Sequence, residues 1–318
     1  MPKTSLLHEL ISASAERAPS SSALTSGRDT LSYHELDNQV AGLASGLIEL
    51  GIERGERVGI FLDKRIETVV ASFAAARAGA AFVPVNPILK SEQIGHILRD
   101  CNARVLITSP ERLPLITGAL EHCHDLRHVI LTAPAAKPVN LPGVSIALWS
   151  DLLATPQRAG HRIIDTDLLS ILYTSGSTGR PKGVVLSHRN MVAGAKSVAS
   201  YLGNNPDDSL LAALPLSFDA GFSQLTTAFH SGARVVLLNY LLPQDVLKAV
   251  VREKITGLTA VPPLYIQLAQ LNWPETATSH LRYFANTGGR MPLETLKTLR
   301  AQLPQTKPFL MYGLTEAF

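Results

Sequence analysis

Short apolar segments alternate with helical segments along most of the sequence, and this alternation limits the possible folds more than any other feature. Repeated strand–helix–strand units are typical of a parallel sheet with helices on both faces. The first half predicts strands at 57–62, 81–85, 104–108 and 128–131 and helices at 65–78 and 91–99. The second half predicts strands at 209–213, 234–238, 257–261, 281–285 and 308–312 and helices at 222–231, 243–253, 263–271 and 292–302. We therefore predict an α/β fold with two subdomains of mixed, largely parallel sheets.

Residues 133–166 interrupt this pattern and contain four prolines, at positions 134, 138, 142 and 156. A proline-rich interruption of this kind is typical of a connection between two packed units. A chain of 318 residues with 46% hydrophobic content can form two cores, because domains usually contain roughly 100–200 residues. We predict a first subdomain at residues 1–165 and a second, with the phosphate loop described below, at 166–318.

The composition excludes several classes of protein. The net charge of +3 is too small, and the basic residues too scattered, to indicate a nucleic-acid partner. The two cysteines, Cys101 and Cys123, form no disulfide framework. The first residues lack the apolar core of a signal peptide, and no apolar run of about 20 residues predicts a transmembrane segment. We therefore expect a cytoplasmic protein.

The glycine-rich run at 173–183, Tyr-Thr-Ser-Gly-Ser-Thr-Gly-Arg-Pro-Lys-Gly, indicates the chemistry. Glycines allow backbone N–H groups to turn inward, and the Ser and Thr hydroxyls supply further hydrogen-bond donors. Lys182 adds a positive charge. The run therefore predicts a phosphate-binding loop.

This loop differs from the Walker A motif of P-loop kinases and ATPases. In that motif Ser or Thr follows the lysine, whereas Gly183 follows Lys182 here. The flanking segments, 168–173 and 184–186, each predict a strand. The sequence therefore predicts that the loop belongs to a hairpin, which argues against a classical P-loop enzyme.

Six further segments match, in order, the motifs of one superfamily. They are residues 31–36, 79–87, 214–221, 261–264, 286–292 and 312–316. With the loop, they make the whole chain resemble the adenylate-forming ligases, which include acyl-CoA synthetases, aryl-CoA ligases, luciferases and peptide-synthetase adenylation domains. Residues 218–240 also resemble a bacterial group of acyl-CoA ligases associated with exosortase systems.

The resemblance implies a two-step reaction with ATP and Mg²⁺. The carboxylate of a small-molecule acid attacks the α-phosphate to form an acyl-adenylate, and a thiol, usually that of coenzyme A, then accepts the acyl group. The resemblance assigns the β- and γ-phosphates to Thr174, Ser175, Gly176, Ser177, Thr178, Gly179 and Lys182.

Residues near the C-terminal end of the sequence complete the nucleotide site that the resemblance implies. Tyr312 is expected to stack on adenine, Thr315 to bond the α-phosphate, and Glu316 to ligate Mg²⁺. In isolation, Glu316 would more simply be a solvated carboxylate. The residues Gly288, Gly289 and Arg290 follow a predicted strand, and the paired glycines allow a flat ring to approach the backbone. Lys182, Thr315 and Glu316 are the catalytic candidates.

Asp219 is the residue that most affects the predicted class of acid substrate. Many acyl-CoA synthetases have a histidine-containing motif here, whereas peptide-synthetase adenylation domains have a Phe-Asp pair like Phe218-Asp219, whose aspartate binds an α-amino group. A buried carboxylate requires a partner, which a substrate ammonium, a backbone turn or Arg234 could supply. The small residues after Asp219 equally leave room for an apolar chain. The predicted acid pocket comprises Phe218, Asp219, Gly221, Gly288 and Tyr312, with a fatty or other acyl acid favoured and an amino acid as the alternative.

The sequence ends two residues after Glu316. The resemblance places a ribose-binding aspartate, a hinge arginine and a small domain with the catalytic lysine beyond this point. We therefore expect the chain to be the N-terminal part of a larger ligase, impaired on its own, and the remaining C-terminal part to be its natural partner. A non-catalytic nucleotide-binding fragment is the other interpretation.

Overall fold

A computed structural model describes residues 4–137, 140–174 and 181–317. The strands are β1 (Ser22–Ser26), β2 (Asp29–Ser32), β3 (Arg57–Phe61), β4 (Ala81–Pro84), β5 (Ala103–Thr108), β6 (His128–Leu131), β7 (Ser145–Leu148), β8 (Leu168–Thr174), β9 (Lys182–Ser187), β10 (Ser209–Ala212), β11 (Arg234–Leu237), β12 (Gly257–Ala260), β13 (Tyr283–Asn286) and β14 (Lys307–Leu310). The helices are α1 (Glu9–Arg17), α2 (Tyr33–Glu49), α3 (Ile66–Ala78), α4 (Ser91–Asp100), α5 (Leu113–Leu120), α6 (Trp149–Leu153), α7 (His188–Leu202), α8 (Asp219–Ser231), α9 (Pro243–Arg252), α10 (Pro262–Ala269), α11 (Glu275–Thr278) and α12 (Leu293–Gln302), followed by a 3₁₀ turn at Thr315–Ala317.

The chain forms two compact units, each with its own sheet. The first unit contains His34–Val192 together with the residues up to Ala13. The second contains Ser14–Tyr33 together with the residues from Ala193 onward. Both sheets are largely parallel and flanked by helices, which confirms the predicted α/β fold class.

The first sheet has the strand order β7-β6-β5-β3-β4-β8-β9. All pairs are parallel except β8 and β9, which form the antiparallel hairpin predicted around the loop. Strand β8 joins this sheet by pairing with β4, so the hairpin lies in the first unit. The predicted boundary at 165/166 would instead place the hairpin in the second subdomain. The predicted strands did not include β7, which extends this sheet beside β6 from within the proline-rich stretch.

The second sheet has the order β14-β13-β12-β10-β11-β1-β2. In the sheet, strand β10 lies between β11 and β12. After β11 the chain therefore crosses to the opposite side of β10, where it forms β12. Ligands of such sheets bind outside the carboxyl ends of the strands, where the order reverses. Side chains of α9 and α10 cover this sheet, with Val246, Leu258, Leu264, Tyr265 and Phe284 in the core.

A buried carboxylate joins the amino ends of three neighbouring strands of the second sheet. Asp208, 2% exposed, accepts hydrogen bonds from Arg282 at 2.8 and 2.6 Å. It also accepts bonds from the Thr256 hydroxyl at 2.6 Å and from the Asn204 amide at 3.1 Å. Burial alone would raise the pKa of Asp208, but these bonds lower it below its usual value. The residues before β10, β12 and β13 are thereby fixed at one point.

Replacing this carboxylate tests its contribution to stability. We expect Asp208→Ala to lower the free energy of unfolding by roughly 3 kcal/mol, because Arg282 and Thr256 lose a buried acceptor. Denaturant unfolding measures the change. The exposed neighbour Asp207 provides the matched control, and a loss just as large in Asp207→Ala would contradict the assignment.

A buried histidine holds the N-terminal segment in the first unit. The backbone N–H of Leu7 donates to Nδ1 of His188 at 3.0 Å, and His188 is 1% exposed. Burial lowers the pKa of His188 to about 4. Burial and the nearby Arg77 and His188 likewise lower the pKa of His8 to about 4. Both imidazoles are therefore neutral in the folded protein near pH 7.

Acid should therefore destabilise the fold through these imidazoles. The folded pKa lies below the usual value of 6.5, so the unfolded chain binds protons first as the pH falls. We expect the contribution of His188, roughly 3 kcal/mol, to be complete above pH about 6.5 and lost by pH about 4. Unfolding measured across this range should be less pH-dependent in His188→Gln, whereas exposed His124→Gln should match the wild type.

Candidate functional site

The β8–β9 hairpin holds the two ends of the predicted phosphate loop. Thr174 ends β8 and is paired with Lys182, which begins β9. The predicted phosphate ligands between them, Ser175, Gly176, Ser177, Thr178 and Gly179, lie outside the described residues. The side chain of Lys182 is exposed, and no described residue forms an ion pair with it. Its charge is therefore available to an anion.

Helix α4 contacts the hairpin on both sides of the loop. The Tyr173 hydroxyl donates to Oδ2 of Asp100 at 2.5 Å. Burial and this hydrogen bond raise the pKa of Tyr173 above its usual value. Beyond the loop, Nε2 of His96 donates to the carbonyl oxygen of Pro181 at 3.4 Å. His96 and Asp100 could not be predicted from the sequence, because neither belongs to a motif and both contact residues far away in the sequence.

The second unit contains a pocket of about 620 Å³ at the carboxyl ends of its parallel strands. One wall is formed by α7, with Val198 and Tyr201, and another by the start of α8. The third wall is the segment 309–314, which extends from β14. The pocket therefore lies where this strand order predicts a ligand.

Asp219 is the first residue of α8 and lines the pocket. It is half-buried, and no hydrogen bond or ion pair with a described residue holds its carboxylate. Arg234, one of the three alternative partners, instead donates to Glu253 and to Ser209. The helix N-terminus favours a negative charge at this position. The carboxylate is thus left to face the pocket.

Phe218 and Gly221 flank Asp219 but are not among the residues that line the pocket. Phe218 is 41% exposed and precedes α8. Gly221 is buried, and a Cβ atom there would lie 1.9 Å from the carbonyl oxygen of Pro215. Gly221 therefore allows α8 to approach the preceding loop closely, behind the wall that carries Asp219.

The Gly288–Arg290 turn follows β13 and is exposed. Gly288 has a φ of +72°, in the left-handed region that favours glycine. The side-chain amide of Asn286 donates to the carbonyl oxygen of Gly289 at 2.7 Å and holds the turn. Only the adjoining Thr287 lines the pocket.

Tyr312 lines the pocket with a ring that is 93% exposed, so a ligand can stack on it. Thr315 and Glu316 lie in the 3₁₀ turn, with Glu316 exposed. Among the described residues, no cluster of three or more His, Cys, Asp or Glu could hold a metal ion. A single carboxylate still fits a magnesium–nucleotide complex, because Mg²⁺ is commonly held by one or two carboxylates and the substrate phosphates.

The pocket brings together Asp219 and Tyr312 from the predicted set, and adds residues that the sequence analysis missed. Tyr201 of α7 and Ser223 of α8 line the same pocket. Ser223 lies four residues after Asp219, one helical turn further along the same face. This spacing was not apparent from the sequence, because the predicted helix began at residue 222.

The comparison with protein families decides what kind of protein contains this site. A family model described as AMP-binding enzyme matches residues 11–318. The chain belongs to the AMP-binding enzyme family. This membership confirms the resemblance to adenylate-forming ligases.

Two curated relatives of this AMP-binding enzyme illustrate the range of the family. Syringomycin synthase SyrB1 of Pseudomonas syringae pv. syringae is 30% identical over 316 residues, which cover 98% of this chain and 48% of the relative. The L-proline--[L-prolyl-carrier protein] ligase of Streptomyces coelicolor is 32% identical over 307 residues, covering 91% and 56% respectively. The chain thus spans about half the length of these relatives.

A solved structure shares the fold of this AMP-binding enzyme. The anthranilate CoA ligase AuaEII in complex with anthranoyl-AMP superposes with a TM-score of 0.88 at 24% identity, covering 99% of this chain and 61% of that one. Within the described part of the chain, no helix has both the length and the apolar character needed to span a membrane.

The close approach of Gly221 to the carbonyl oxygen of Pro215 can be tested by substitution. We expect Gly221→Ala to lower the free energy of unfolding by about 3 kcal/mol, because the added methyl group would overlap the carbonyl oxygen of Pro215. Gly118 in α5 is the control, since a Cβ there meets nothing within 4 Å and alanine favours a helix. Denaturant unfolding compares the two, and equal effects would contradict this interpretation.

Proposed function

We propose that this AMP-binding enzyme activates a carboxylic acid with ATP and transfers the acyl group to a thiol. A carboxylate oxygen attacks the α-phosphorus, and pyrophosphate leaves with the electrons of the broken P–O bond. The sulfur of the thiol, having lost its proton, then attacks the acyl carbon, and AMP leaves. Family membership and the pocket at the carboxyl ends of the second sheet support this proposal.

Each unit contains residues that we propose as ligands of the nucleotide. In the first unit, we propose that Lys182 neutralises negative charge on the β- and γ-phosphates, and that Thr174 and the loop between the two residues donate hydrogen bonds to them. In the second, Tyr312 would stack on adenine beside the Gly288–Arg290 turn. Thr315 would bond the α-phosphate and Glu316 would hold Mg²⁺, which supplies positive charge to the leaving pyrophosphate.

We further propose that the acid bears a positively charged amino group close to its carboxylate. The carrying observation is the Asp219 carboxylate, which faces the pocket and has no partner among the described residues. An ammonium group would neutralise it in a partly desolvated site. The name of the prolyl-carrier-protein ligase, a 32% identical relative, agrees with an amino acid and a carrier-protein thiol.

A fatty or other acyl acid without an amino group, transferred to coenzyme A, is the second candidate. The observation that favours it is the uncharged character of the α7 wall, where Ala193, Gly194 and Val198 line the pocket. Such residues bury an alkyl chain without leaving polar groups unpaired. In this case Asp219 would interact with solvent at the pocket mouth.

Ligand-dependent melting distinguishes the two candidates. We expect Mg-ATP and an aminoacyl sulfamoyl-adenylate to raise the melting temperature of the chain, and a matched acyl sulfamoyl-adenylate without the amino group to raise it less. A ligand at about 100 times its dissociation constant stabilises the folded state by about 2.7 kcal/mol. Asp219→Asn should weaken binding of the aminoacyl analogue at least ~10-fold, because a charge-assisted hydrogen bond is lost.

The controls separate substrate class from loss of folding. Asp219→Asn should bind the amino-free analogue as the wild type does, and Asp207→Asn should leave both affinities unchanged. Stronger binding of the amino-free analogue by the wild type would select the acyl acid instead. No stabilisation by Mg-ATP or by either analogue would reject the proposed ligase function for this chain.

A further inference from the structure

A second, much smaller space adjoins the acid pocket in the second unit. It has a volume of about 10 Å³, enough for one water-sized group. Four residues line both spaces, namely Val198, Ser223, Thr259 and Met311. Ser223 and Thr259 have small side chains and Met311 has a flexible one, so this shared wall presents little bulk between the two spaces.

Two polar side chains of α8 line the small space and lack a hydrogen-bond partner there. Gln224 is 5% exposed and Thr227 is 2% exposed. Within the described parts of the chain, Oε1 of Gln224 and Oγ1 of Thr227 have no partner. The amide nitrogen of Gln224 already donates to the carbonyl oxygen of Ala220 at 3.1 Å. This bond fixes the amide so that Oε1 remains as a free acceptor.

These two atoms define the chemistry of a group that would fit beside them. Oε1 of Gln224 can only accept a hydrogen bond, whereas the Thr227 hydroxyl can donate or accept. A hydroxyl group is water-sized and could donate to Gln224 while accepting from Thr227. An alkyl end would leave both buried polar atoms unpaired, which is unfavourable. Among the described residues, no Asp, Glu, Lys or Arg lines this space, so an ionised end would lack a counter-charge.

We propose that the acid pocket extends past Ser223 into this space, and that Gln224 and Thr227 select acids with a hydroxyl group at the far end. This inference rests on the proposed function, because it concerns the acid that the ligase activates. It adds a specificity determinant to the one that Asp219 provides near the carboxylate. The two act at different ends of the acid, so the far-end hydroxyl is selected whether or not an amino group is present.

Matched analogues test the inference. Pairs of acyl sulfamoyl-adenylates are made that end in a hydroxyl or in a methyl group, over a series of tail lengths, with and without the amino group. Isothermal titration with the wild-type chain gives the dissociation constants. We expect the hydroxyl analogue to bind about ten-fold more tightly than its methyl partner at one tail length, as one well-made hydrogen bond allows.

Two variants assign that preference to the small space. Thr227→Val removes the hydroxyl with little change in shape, and Gln224→Met removes the acceptor at similar length. Each should abolish the preference while retaining affinity for the methyl analogue. Thr226→Val is the control, because the Thr226 hydroxyl already donates to the carbonyl oxygen of Ser223 at 3.2 Å and lines neither space. It should keep the full preference.

The outcomes distinguish a failure of this inference from a failure of the proposed function. If the hydroxyl and methyl analogues bind equally at every tail length, the inference is overturned while the ligase function stands. A preference that persists in both variants overturns it as well, since the hydroxyl would then bind elsewhere. Absence of binding by every analogue rejects the proposed function, and this inference with it. Melting temperatures establish whether each variant is folded. If Gln224→Met does not fold, the result for Thr227→Val decides the inference.

Discussion

The in-register parallel pairing of β10, β12, β13 and β14 is the constraint on which the pocket of the second unit depends. Because these strands run in one direction, the segments that leave their carboxyl ends meet at one edge of the sheet. Thr287 and Tyr312 reach the pocket in this way. At the opposite edge, Asp208 fixes the amino ends through Arg282 and Thr256. A buried carboxylate and its hydrogen bonds at one edge therefore support the geometry of the pocket at the other.

Helix α8 supplies the chemical character of the pocket. Its first residue, Asp219, places a carboxylate where the helix dipole favours negative charge. One turn later Ser223 lines the same pocket, and Gln224 and Thr227 line the adjoining small space. One helix thus presents an anionic group to the pocket and neutral polar groups to the small space beside it. Under the proposed function, recognition of both ends of the acid would depend on the position of this single helix.

Local sequence patterns predicted the features that arise from local interactions. The glycine-rich run predicted the hairpin, and the alternation of apolar segments predicted most strands and helices. These local patterns did not predict which strands pair when they are far apart in the sequence. Strand β1 pairs with β11 although more than half of the chain separates them, and β7 lies in a proline-rich stretch. The unpaired atoms of Gln224 and Thr227 were equally inaccessible, because only the packed structure reveals which polar atoms lack partners.

The contact at Gly221 has a consequence for how such a pocket can change over evolutionary time. Backbone atoms, the Cα of Gly221 and the carbonyl oxygen of Pro215, set how closely α8 approaches the preceding loop. The side chains on the pocket face, such as Ala220 and Ser223, take no part in that contact. They can therefore be exchanged without moving the helix. A glycine of this kind allows the residues that line the pocket to diverge among related proteins while the position of the helix is conserved.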